Sequence, residues 1–169
     1  MKKIFLTFMT ILCALLMTSC KERSVGVGVV GFNHTNDKYI NTFSVNGAPG
    51  PNVGPEEGGG KKMCCVSLPA EWRPGMQVKI WWQYGRLKDD DPALPPRQIE
   101  LDVPKYGKSV GDVHVHFYAN DKIKLVISNC DVEHPFYPLD KESLLPWKAD
   151  RSKEEHLKWE KEVGAKHDC

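Results

Sequence analysis

Apolar and polar residues alternate with a period of two along most of the chain. Tyr39–Val45 sets Tyr39, Asn41, Phe43 and Val45 against Ile40, Thr42 and Ser44. Residues 77–84 put Val78, Ile80 and Trp82 on one side and Trp81 on the other, and Ile99, Leu101 and Val103 alternate with Gln98, Glu100 and Asp102. Such alternation marks strands with one buried face, because neighbouring strand side chains point to opposite sides. Val113, Val115 and Phe117 share a face opposite His114, His116 and Tyr118, and Ile123, Leu125 and Ile127 form a return strand. Asn120-Asp121 supplies the turn between them, since both residue types tolerate positive φ. Residues 25–32 and 63–68 read as two further strands. The turn at Arg73-Pro74-Gly75 suggests that 63–68 and 77–84 form an antiparallel pair.

A helical pattern occurs once, over residues 152–163. It opens on Ser152-Lys153-Glu154-Glu155, a capping box, and stops at Gly164. His156, Trp159 and Val163 would line one side of it. Residues 46–60 and 85–96, rich in proline and glycine, read as irregular segments, and the prolines of 134–139 force an extended or turned path. The expected fold is all-β: an antiparallel, sandwich-like domain with long irregular loops and a short C-terminal helix.

Gly26, Gly28 and Gly31 match the spacing of a dinucleotide fingerprint. That motif needs a helix directly after it. Here the chain runs into the turn composition of residues 33–37, so a glycine-rich strand is the reading. The acidic run Asp89-Asp90-Asp91 lacks the alternation and distant glutamate of a calcium loop.

The N-terminus carries Lys2 and Lys3, then an apolar stretch from Ile4 to Met17 too short to span a bilayer comfortably. Met17-Thr18-Ser19-Cys20 follows, with the form of a bacterial lipobox. Residues 1–19 are therefore expected to be a lipoprotein signal peptide. Residues 20–169 would be one periplasmic domain, with a helical tail from about 141. Cys20 would carry the acyl chains, palmitate among them, and anchor the protein to the membrane. Lys21 rather than aspartate after it resembles lipoproteins of Gram-negative bacteria that face the periplasm from the outer membrane, which is the location this resemblance implies. Without Lys2 and Lys3, 21 basic residues face 22 acidic ones, which gives no electrostatic case for nucleic acid.

An oxidising compartment makes disulfides expected among Cys64, Cys65, Cys130 and Cys169. Two arrangements are open. Cys64 and Cys65, on opposite strand faces, would pair with Cys130 and Cys169, or a vicinal Cys64–Cys65 bridge would leave Cys130 to Cys169. His114 and His116, one residue apart on a strand, form a metal half-site only if His34 or His134 completes it; otherwise they are solvent-facing histidines. No G-x-S-x-G elbow and no Ser/His/Asp set is present, so the chain reads as a binding protein without cofactor rather than an enzyme.

The segments GFNHTNDKYINTFSVNG, GGGKKMCCVSLPAEWRPG, DVHVHFYANDKIKLVISN and HPFYPL, behind a lipobox, resemble a family of small Gram-negative lipoproteins catalogued as a domain of unknown function. The resemblance spans residues 31–139. It implies an immunity protein that neutralises a phospholipase effector of a type VI secretion system. The loops 48–60 and 86–96, the latter with Arg86, Asp89, Asp90 and Asp91, together with Trp72, Arg73 and Trp81, are then the expected toxin contacts, because aromatic and arginine side chains commonly carry interface energy. The alternative is an envelope lipoprotein with a metal-binding or structural role.

Overall fold

The computed structural model describes residues 22–86, 88, 90, 92–147, 152–167 and 169. The expected signal peptide and Cys20 lie outside them. Eight strands form two sheets: β1 (Ser24–Asn33), β2 (Tyr39–Val45), β3 (Ala48–Gly50), β4 (Gly58–Pro69), β5 (Gln77–Gly85), β6 (Arg97–Asp102), β7 (Asp112–Phe117) and β8 (Ile123–Ser128). Helix α1 (Lys153–Val163) closes the chain. One sheet has the order β4-β1-β7-β8 and the other β3-β2-β5-β6. The all-β expectation holds, and all pairs are antiparallel except β1 with β7, which run parallel.

The inner faces of both sheets meet in one core. Val27, Val29, Val113, Val115 and Phe117 come from the first sheet, and Ile40, Phe43, Val45, Val78, Ile80 and Trp82 from the second. Phe43 meets Phe117 edge-on at 5.2 Å between ring centroids. Gly31 permits this contact. A Cβ there would stand 2.6 Å from Val53 and 2.9 Å from the Phe43 ring. The glycine that completes the apparent nucleotide fingerprint is thus a close-approach residue of a packed sheet.

Several local expectations change. β2 carries a register shift between Ile40 and Thr42 in its pairing with β5. Ile40 therefore joins Phe43 and Val45 in the core, and Asn41 is exposed. A bulge of this kind breaks simple alternation. Residues 46–60 are ordered by pairing: Asn46 and Gly47, both at positive φ, turn the chain into β3, Val53 bridges Ile40, and β4 begins at Gly58. β4 and β5 belong to different sheets and are not a hairpin. The connection between them crosses the sandwich instead, because Trp72 packs against the core.

Cys64 and Cys65 form a vicinal disulfide across a cis peptide, and Cys130 pairs with Cys169. Both adjacent cysteines are exposed, not split between two environments. They lie where β4 takes three steps, Val66 to Met63, against two steps of β1, Val27 to Val29.

The helix keeps its predicted signals. Ser152 and Glu155 make a reciprocal capping box, and Gly164 ends the helix at φ 67°. Of the expected face only His156 is buried. His156 and Glu160, four residues apart, are buried, whereas Trp159 and Val163 are 41% and 54% exposed. The helix docks through polar side chains onto His134, Phe136 and the chain end.

Candidate functional site

The Trp72–Arg73 turn lies at one end of the sandwich. The Trp72 indole N–H donates to the Val103 carbonyl at 2.8 Å, and the Tyr106 hydroxyl donates to the Pro69 carbonyl at 2.7 Å. Trp72 is thereby a half-buried anchor of the turn, not a free contact residue. Arg73 projects outward, its side chain 62% exposed, and its guanidinium meets the Glu22 carboxylate at 2.6 Å. A cavity of about 820 Å³ lies here, walled by Glu22, Arg23, Trp72, Arg73, Lys105 and Tyr106 among others. An exposed ion pair of this kind contributes little to folding, so the arginine is available to a partner.

The other expected contacts do not join this group. Trp81 is half-buried on the outer face of the second sheet, opposite Ser44 and Gln98. Arg86 is exposed just beyond the far end of β5. Nine strand residues separate it from the turn, about 30 Å of chain. Asp90 is exposed in the following segment, and Asp89 and Asp91 lie outside the described residues.

His114 and His116 are not solvent-facing. They are 5% and 0% exposed, because a second, smaller core covers the outer face of the first sheet. Val30, Phe32, Val126, Val132, Tyr137 and Leu144 build it. A hydrogen-bond chain runs through this layer. The Tyr137 hydroxyl lies 2.7 Å from both His114 Nδ1 and His116 Nε2. His116 Nδ1 lies 2.9 Å from His34 Nε2, and His34 Nδ1 is 2.6 Å from the Leu145 carbonyl.

The terminal carbonyl fixes the direction of every proton in the chain. A carbonyl only accepts, so His34 Nδ1 donates, and with the ring kept neutral by burial its Nε2 accepts. His116 Nδ1 then donates to His34, and His116 Nε2 accepts from the Tyr137 hydroxyl. The Tyr137 oxygen is left to accept from His114 Nδ1. Each imidazole is neutral in this scheme. Burial drives the same way, pushing His116 well below the usual imidazole range and His114 down to about 4. It lowers His34 as well, against the opposing bond to Leu145. Burial raises the Tyr137 phenol, keeping its proton in place.

Phe32 stacks on the His116 ring at 4.6 Å, and Trp147 meets His34 edge-on at 4.8 Å. The expected half-site pair is therefore the centre of a polar clasp. Both nitrogens of His116 are engaged, so its lone pair does not converge with that of His114 on a common point. What this arrangement does is fix the 134–147 segment to β1 and β7. One signal in the sequence pointed to it: β1 is apolar in both parities, with Val27 and Val29 on one face and Val30 and Phe32 on the other. A strand of that composition is covered on both sides.

Residues 32–125, more than half of the chain, match the family model described as protein of unknown function (DUF3304). No curated protein and no solved structure matches the chain.

Proposed function

This chain belongs to the DUF3304 family, and from that premise we propose that it is a periplasmic immunity lipoprotein. It binds a phospholipase effector of a type VI secretion system and neutralises it, protecting the producing cell. The observation that carries the reading is the ion pair between Arg73 and Glu22. Glu22 follows the lipobox cysteine Cys20 by two residues, at most about 7 Å of chain. An acylated Cys20 would hold the Arg73 turn and its adjoining cavity at the membrane surface, where a phospholipase must act. The scaffold suits an inhibitor: two sheets over one core give a rigid support, and the turn itself is pinned by Trp72 and Tyr106.

The test is co-expression of the domain from Cys20 onward with the lipase encoded beside it, followed by pull-down, calorimetry and a lipase assay. A one-to-one complex without lipase activity is the expected result. Absence of binding to any neighbouring lipase would end the immunity reading and favour a structural envelope role.

A further inference from the structure

The C-terminal end of the chain is pinned inside a cluster that neither the sandwich core nor the proposed interface uses. Cys130 follows β8, His134 sits in the next turn, and Cys169 is the last residue. One ligand atom from each of these three lies within 4.8 Å of the other two. Cys169 Sγ is 3.1 Å from His134 Nδ1. The Phe136 amide donates to that same Nδ1 at 3.2 Å, so Nδ1 carries a lone pair and the ring proton sits on Nε2. His134 Nε2 donates to His156 Nε2 at 3.1 Å. Glu160 and His167 continue the cluster: His156 Nε2 is 3.4 Å and His167 Nδ1 2.9 Å from Glu160 Oε1. The His134 Nδ1 lone pair, held by the Phe136 amide, thus lies beside the sulfur, with the far nitrogen held by a buried partner. Metal-ligating histidines are oriented in this way.

We propose that this is a redox-gated metal site, in which reduction of the Cys130–Cys169 disulfide lets both thiolates and His134 Nδ1 bind one Zn²⁺. Two thiolates and an imidazole are a donor set that suits zinc, with the ion ~2.3 Å from each sulfur and ~2.0 Å from nitrogen. An external dithiol is the reductant. The bond between the two sulfurs breaks, two thiols form, and the dithiol becomes a cyclic disulfide, a two-electron exchange. Zn²⁺ then displaces both thiol protons to solvent and the Phe136 amide from Nδ1, with water as the fourth ligand. While the sulfurs are bonded to each other they carry no thiolate charge, and the site does not exist. Disulfide and metal are alternative clasps for the same C-terminal tail.

The experiment uses the acylated chain from Cys20 onward in a Cys64→Ser, Cys65→Ser background, so that Cys130 and Cys169 supply the thiolates. Zn²⁺ is titrated against a chromophoric chelator with oxidised and with phosphine-reduced protein, and Co²⁺ absorption reports thiolate coordination. One equivalent should bind to reduced protein and none to oxidised protein. His156→Gln should weaken binding about 10–100-fold through the orientation of His134, and His134→Gln at least as much. Cys169→Ser, at an exposed chain end, should remove the thiolate–cobalt band. Zn²⁺ should also slow reoxidation of the Cys130–Cys169 pair at least about 10-fold in the parent, but not in His134→Gln, because a coordinated thiolate is withheld from exchange. Binding by oxidised protein, or unchanged affinity in Cys169→Ser or His134→Gln, would overturn the proposal.

Discussion

The Tyr137 hydroxyl bridges His114 and His116, 2.7 Å from a ring nitrogen of each. It is the one hydroxyl in a run of imidazoles that starts at His114 and ends on the Leu145 carbonyl through His34. A single side chain from the 134–147 segment thus satisfies two buried groups of β7.

Tyr137→Phe keeps the ring and removes that bridge. His114 Nδ1–H and His116 Nε2 are then left unpartnered in a closed layer, and each buried orphan costs about 1–3 kcal/mol. Urea unfolding should show a loss of roughly 2–5 kcal/mol with an unchanged m-value. A loss below about 0.5 kcal/mol would mean the layer is open to water that replaces the hydroxyl.

Stability should fall with acid in a defined window. His114 is lowered to about 4 from 6.5, its burial outweighing the nearby Asp112 and Asp131 carboxylates. The unfolded state therefore binds the extra proton first. Stability is fully present above about pH 6.5, declines as pH falls, and stops declining through this group near pH 4. The separation corresponds to about 3 kcal/mol for His114, with His116 and His34 acting in the same direction. Denaturant titrations at several pH values, repeated with His114→Gln, should show the slope reduced in the variant.

Two neighbours in the Trp72–Arg73 turn should behave oppositely. Trp72→Phe loses the bond to the Val103 carbonyl and should cost about 1–2 kcal/mol of folding stability. Arg73→Ala should leave stability within about 0.5 kcal/mol, because its side chain is exposed. Under the proposed function, Arg73→Ala should weaken the effector complex about 10-fold or more, by at least about 1.4 kcal/mol. Calorimetry of binding and thermal unfolding of the free protein separate the two effects.

Gly31→Ala tests the close approach of the sheets. The added methyl meets Val53 and the Phe43 ring below van der Waals distance, so the core must shift. A cost of about 1–3 kcal/mol is expected in thermal or urea unfolding. Gly60→Ala, where no atom lies within 4 Å of the added carbon, is the control and should be near neutral.

The strands other than β3 and the start of β4, the hairpin turn at Asn120-Asp121 and both helix caps were legible in the sequence, because each depends on a few neighbouring residues. Alternation needs only adjacent side chains, and a capping box needs four positions. The Trp72–Arg73 turn was legible as a candidate for the same reason. Which sheet each strand joins was not, and β4 and β5, close in sequence, part company because Trp72 turns the connection into the core. The burial of His114 and His116 was decided only in three dimensions. Their face is covered by residues of β1, of β8 and of the segment after it, and a polar side chain is stable there only because Tyr137, His34 and Leu145 arrive to complete its bonds. Glu160 is buried likewise because His167 reaches it, and His156 because its Nε2 meets His134, although its Nδ1 has no partner among the described residues. Helical periodicity favours burying His156 with Trp159 and Val163, but the Cys130–Cys169 bridge and the His134 turn bring polar partners to the neighbouring stripe of His156 and Glu160. Local order follows from local sequence; the choice of which polar groups are buried rests on partners that only the folded chain brings within hydrogen-bonding distance.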